Sequence, residues 1–186
     1  MRLNEIDMTM HENISPDQGF VVMDIYGDKA SPELYNYMFS MICYMRAIHL
    51  WFHGAHHLTR GTSFSGDHSF LYDKVYTGVN ESIDGVIEKA IGLCGPAVAC
   101  PCHIVTGAAQ ILGTYPSPSK LSATGIAAAG MCIIKDFINF LEKMNAELDQ
   151  CGALTLGLSD ELAAIANVHE GYYYLLKQRA SEDLSP

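Results

Sequence analysis

Five of the eight histidines in this 186-residue sequence fall between His49 and His68, and three carboxylates, Asp73, Asp84 and Glu88, follow them. His49, His53 and His56 recur at i, i+4 and i+7, with His57 adjacent. Asp84 and Glu88 are four apart, and Asp73 lies eleven before Asp84. An α-helix repeats about every 3.6 residues, so one helix carrying all three would project them from one side. Like charges gathered on one face repel unless something positive sits among them. Taken alone, such a triplet reads as a solvated acidic face. Imidazoles beside it, in an apolar helical setting, change that reading to a ligand set for iron or a similar divalent metal.

Two helices must position these groups. The first starts at Ser31, a good N-cap, with Pro32 at the first helical position and Glu33 at the positive end of the dipole. Leu34, Met38, Met41, Met45, Ile48 and Phe52 then recur at spacings of three and four, the mark of a core stripe. A turn containing Arg60, Gly61 and Gly66 would return the chain antiparallel. The second helix is expected from about Gly66 or Ser69 to Leu93, with Val75, Val79, Ile83, Val86, Ala90 and Leu93 as its core stripe. The acidic triplet lies beside that stripe, not opposite it. That is the placement of a site at the edge of a bundle or at a subunit interface.

The spacing of these residues resembles that of the Dps-like miniferritins of the ferritin-like superfamily. His56, Gly61, Phe64 and His68 match the family's first His, Gly, Phe and second His. Asp73, Asp84 and Glu88 match its two Asp residues and its Glu, with Tyr76 also in register. The resemblance implies an all-α, ferritin-like four-helix bundle with a long crossover carrying a short extra helix. It also implies a ferroxidase site shared by two subunits, with His56 and His68 from one chain and Asp73, Asp84 and Glu88 from the other. Iron would be oxidised there by peroxide or oxygen, in a hollow homo-oligomer expected to be a dodecamer.

Three positions depart from the family pattern. His57 stands where the family has Trp. Ile87-Glu88-Lys89 replaces Ala-Glu-Arg. The step from His68 to Asp73 is five residues instead of four, so in an unbroken α-helix Ser69 would occupy the matching position and His68 would turn about 100° away. The expectation is that the helix starts late and an irregular stretch near Gly66 absorbs the extra residue.

The remaining chain fits the same architecture. The span from Gly92 to Ile134 holds one formal charge, Lys120, and a short helix is expected over His103–Leu112, as miniferritins carry one in this crossover. The low charge there points to burial against other subunits. A third helix is expected from Ser122 or Thr124 to about Gln150, stopped by Gly152, and a fourth from Ser159-Asp160-Glu161 to about Arg179. Of Tyr172, Tyr173 and Tyr174, at least one ring should meet solvent or a partner. His169 and Glu170 should not both face the core. Residues 1–30 read as an N-terminal extension, in which 20–26 suits a strand or arm and His11 stands alone. Residues 31–180 form the bundle and 181–186 a tail.

Composition narrows the function classes. A net charge of −10 argues against nucleic acid as a partner, and neither end carries a basic tail, so DNA binding is not expected. Cys43, Cys94, Cys100, Cys102, Cys132 and Cys151 read as reduced thiols of a cytoplasmic protein without a signal peptide. Cys94, Cys100, Cys102 and His103 lack a known finger spacing, although a structural metal there is the alternative to plain buried thiols. No uninterrupted apolar run of about 18 residues stands out as a membrane span. The Glu-x-x-His of other di-iron bundles is absent, as are the P-loop, Gly-x-Gly-x-x-Gly and Gly-x-Ser-x-Gly motifs. Iron oxidation and storage is therefore the expected function. A structural, shell-forming protein on a ferritin-like scaffold with little or no ferroxidase activity is the alternative.

Overall fold

A computed structural model describes residues 30–181; the expected extension, its strand or arm, His11 and the tail beyond 181 lie outside the described residues. Five helices of at least two turns make up the fold: α1 (Pro32–Leu58), α2 (Asp73–Cys94), α3 (Pro101–Leu112), α4 (Ala123–Gln150) and α5 (Leu156–Ala180). Helices α1, α2, α4 and α5 form the four-helix bundle, and α3 is the short helix of the crossover. No strand occurs among the described residues.

Local chemistry sets the helix ends. Ser31 Oγ accepts the Leu34 amide at 3.1 Å, and Pro32 follows at N1, as its lack of an amide proton allows. Ser122 Oγ caps α4 through the Gly125 amide, and Thr155 Oγ1 caps α5 through the Leu158 amide. The Thr155 cap starts α5 three residues before the expected Ser159, because its hydroxyl reaches the N3 amide first. Gly152, at φ 71°, stops α4 in the left-handed region that glycine tolerates.

Helix α1 is the central element. Its stripe of Leu34, Met38, Met41, Met45, Ile48 and Phe52 is buried throughout, and each such side chain withdrawn from water contributes about 1.5–3 kcal/mol. It packs antiparallel on α2, on α3 across the crossover, and on α4, while α4 and α5 pair with each other. Val75, Val79, Ile83, Val86 and Ala90 bury the expected face of α2, with Leu93 at its margin. Helices α2 and α5 approach closely at Gly78, where an added Cβ would lie 2.1 Å from the Tyr172 hydroxyl. Tyr172 is buried, Tyr173 is intermediate and Tyr174 faces solvent. His169 is buried and Glu170 exposed.

Helix α4 is, by length and composition alone, apolar enough to cross a membrane. Its residues Ile126, Ile133, Ile134, Phe137, Phe140, Leu141, Met144 and Leu148 are instead spent on the bundle core. Within the single chain the crossover buries one face of α3. Ile104, Ala108 and Ile111 face inward, but Val105 and Cys102 face out. All six cysteines are free thiols, and burial pushes Cys43 up to about 12 and Cys94 up to about 11.

Candidate metal centre

The end of α1 and the start of the returning helix meet in a reciprocal clamp. His56 Nδ1 lies 2.8 Å from the His68 carbonyl oxygen, and His68 Nδ1 lies 2.8 Å from the His56 carbonyl oxygen. A carbonyl oxygen only accepts, so each Nδ1 carries the proton and donates it. In its neutral form each ring is thereby held in the tautomer whose Nε2 bears a lone pair, the form that binds metal. The two rings stack with centroids 3.7 Å apart, and Phe64 stacks on His68 at 4.9 Å. His56 and His68, matched from spacing alone, are thus brought side by side.

The extra residue between His68 and Asp73 is absorbed differently from the expectation. No irregular stretch forms at Gly66, whose backbone is ordinary right-handed helix at φ −68° and ψ −50°. A helical turn begins at Phe64–Gly66, continues as a π-helix over Asp67–Tyr72, and passes into α2 without a break. The π-helix bonds i to i+5, so it takes in one more residue per hydrogen bond than the α-helix. The Asp73 amide accordingly donates to the His68 carbonyl, five residues back. That carbonyl also receives the His56 imidazole. The tight turn lies earlier, at Gly61, where φ is 92°.

Tyr76 links the imidazoles to the first carboxylate. Its hydroxyl donates to Asp73 Oδ1 at 2.8 Å, while its ring lies 4.9 Å from that of His53 and 5.3 Å from that of His56. The Asp73 bond, and then desolvation, raise the Tyr76 pKa, keeping its phenol protonated as a donor. His49 Nδ1 lies 3.2 Å from the Tyr76 carbonyl, so it too donates from Nδ1. Desolvation is the main influence holding His49 below its ordinary pKa, which favours the neutral ring.

From spacing alone the three carboxylates form one group; along the helix axis they form two. Eleven residues at about 1.5 Å each put Asp84 roughly 16 Å from Asp73, and Glu88 a further turn away. Asp84 and Glu88 are solvent-exposed, whereas Asp73 is half-buried beside Tyr76. Among the described residues, no three His, Cys, Asp or Glu side chains of the single chain are close enough to grip one ion. This holds for the histidine end of the bundle and for the crossover thiols. Lys89 does not screen Glu88: its ammonium donates to the Gly157 carbonyl at 2.9 Å and pairs with Glu161 at 3.5 Å.

Two further side-chain pairs lie near the site. Asp67, buried at the first turn of the π-helix, pairs with Arg179 from the end of α5. His53 and His57 bring their Nε2 atoms to 3.2 Å. The i, i+4 spacing of the second pair was visible in the sequence; the first pair spans 112 residues and carried no signal.

The four-helix bundle with its short crossover helix defines the class of fold: ferritin-like. Solved structures of Dps are similar to it. Dps from Thermosynechococcus elongatus superposes with a TM-score of 0.67 at 19% identity, covering 78% of this chain and 88% of that one. Dps from Mycobacterium smegmatis gives 0.66 at 18% identity, covering 82% and 88%. Dps from Microbacterium arborescens, in a structure described as the high iron form, gives 0.64 at 18% identity, covering 83% and 99%. The chain therefore has the Dps-like miniferritin fold. No protein-family model matches the sequence, and no curated protein matches it.

Proposed function

We propose that this chain oxidises Fe(II) and stores the ferric product in a homo-oligomeric shell, at sites each built by two copies. The observation that carries this reading is the His56–His68 clamp, which stacks two imidazoles and engages each Nδ1, so that Nε2 is the nitrogen each ring offers to a metal. Asp84 and Glu88 are too far along α2 to reach the same ion, so a second copy must supply them. A two-fold contact between antiparallel α2 helices sets the exposed Asp84 and Glu88 of one copy opposite the imidazoles of the other. Asp73, held by Tyr76, stands on the imidazole side. Such a site offers mixed nitrogen and oxygen ligands, which suit Fe(II) as substrate. Its anionic oxygens favour the ferric charge and so pull oxidation forward. Peroxide or oxygen is the electron acceptor.

The high-iron Dps of Microbacterium arborescens supports the iron assignment through the shared fold. The proposed particle is a cytoplasmic dodecamer. Its acidic charge of −10 draws cations and leaves DNA without a complementary surface.

The test adds Fe(II) to the iron-free oligomer, then peroxide, and follows ferric absorbance. Wild type should colour within the mixing experiment. His56→Ala and the pair Asp84→Asn with Glu88→Gln should slow it by about 10–100-fold or more, with particle size unchanged. A wild-type particle that stays colourless would leave the shell-forming reading in its place.

A further inference from the structure

His53 and His57 lie one turn apart on α1, both solvent-exposed, with Nε2 atoms 3.2 Å from each other. Their ring centroids are 4.8 Å apart. Neither ring donates to a backbone carbonyl, unlike His49, His56 and His68. Two metal–nitrogen bonds of about 2.0–2.1 Å, opening between a right angle and the tetrahedral angle, hold their nitrogens about 2.8–3.4 Å apart. The observed separation falls inside that window. The pair therefore already has the bite of two ligands on one ion.

We propose that His53 and His57 form a second metal site, a two-imidazole chelate for a divalent transition ion, separate from the iron-oxidation site. Two neutral nitrogens and no carboxylate select borderline ions. By the Irving–Williams order Ni(II), Cu(II) and Zn(II) bind here ahead of Fe(II), and Mg(II) is excluded by its preference for oxygen. Water fills the remaining positions, since both rings face solvent. The α1 helix fixes the geometry: the i, i+4 spacing stacks the two side chains on one stripe, and the buried opposite face of α1 prevents the helix from turning. The site needs no second copy and does not rest on the iron reading.

The full-length, iron-free oligomer is titrated with Ni(II) alone by calorimetry. One ion per subunit should bind beyond any taken by the iron-oxidation site, whose nitrogen and oxygen ligands also accept Ni(II), and His53→Ala or His57→Ala should each weaken that ion's binding at least about tenfold, as losing even an outer partner of a metal ligand does. His53→Gln, which keeps helix and size, should do the same. His56→Ala and the pair Asp84→Asn with Glu88→Gln should leave Ni(II) on His53 and His57 while slowing iron oxidation. The proposal is overturned if Ni(II) does not bind, if the stoichiometry and affinity of Ni(II) are unchanged by both His53→Ala and His57→Ala, or if His56→Ala alone removes every bound ion. Loss of iron oxidation in wild type with Ni(II) uptake intact would sink the iron reading and support this one.

Discussion

The Arg179 guanidinium Nε donates to Asp67 Oδ1 at 2.7 Å, across the gap between the end of α5 and the first residue of the π-helix. Asp67 is 2% exposed, and Thr59 Oγ1 also donates to it. The pair ties the turn that carries His68 to the opposite side of the bundle. Removing one partner of a buried pair strands the other charge and costs about 3–5 kcal/mol. Asp67→Ala should lower the urea midpoint accordingly, while Asp67→Leu with Arg179→Met should recover much of the loss. Equal melts for Asp67→Ala and wild type would show that the pair holds nothing.

The approach of α2 to α5 rests on a missing side chain. A Cβ on Gly78 would fall 2.1 Å from the Tyr172 hydroxyl and 3.4 Å from its ring carbon. Overpacking of this kind costs about 1–3 kcal/mol. Gly78→Ala should therefore destabilise the fold, and Tyr172→Phe, by deleting the hydroxyl, should rescue it. Thermal melts of the two single variants and the double variant decide this. Additive losses would mean that the two residues do not meet.

The π-helix predicts that one residue is dispensable. Deleting Ser69, which is exposed, should convert Asp67–Tyr72 to ordinary α-helix and leave His68 four residues before the aspartate. The expected product is a folded, equally or more stable oligomer that still oxidises iron. A deletion variant that loses its helical circular dichroism would show instead that the π turn is required.

His169 gives the fold an acid sensitivity. It is 2% exposed between Phe137 and Tyr172; Nδ1 donates to the Ile165 carbonyl and Nε2 has no partner. Desolvation lowers its pKa from the ordinary 6.5 to about 4. The unfolded chain therefore binds this proton more readily than the folded one. Stability is complete above about pH 6.5 and is lost as pH falls towards 4, by on the order of 3 kcal/mol. His169→Leu should flatten the pH dependence of the urea midpoint between pH 7 and 4. An unchanged slope in that variant would assign the sensitivity to other groups.

Much of the molecule was legible from local patterns. The Ser31 cap, the stripe from Leu34 to Phe52, the stripe from Val75 to Ala90 and the stop at Gly152 each depend on residues within a few positions of one another. Hydrophobic period and capping chemistry act at that range, so the sequence alone determined the helices and their number; the nearness of His56 to His68 is what the family resemblance implies. Thr155 and Ser159 are both competent caps on paper, and α5 starts at the earlier one, where the Thr155 hydroxyl accepts the Leu158 amide. The π turn was signalled by the five-residue step to Asp73, yet a loop and a π-helix absorb one residue equally well on paper. The choice fell to the π-helix because His68 must turn towards His56 while Leu71, Tyr72 and Val75 stay in the core. The Asp67–Arg179 pair, the Gly78–Tyr172 contact and the division of the three carboxylates along α2 were decided only by the tertiary structure. They join residues far apart in the chain or depend on axial distance, and a period of 3.6 residues records the face a side chain occupies but not what the bundle brings against it.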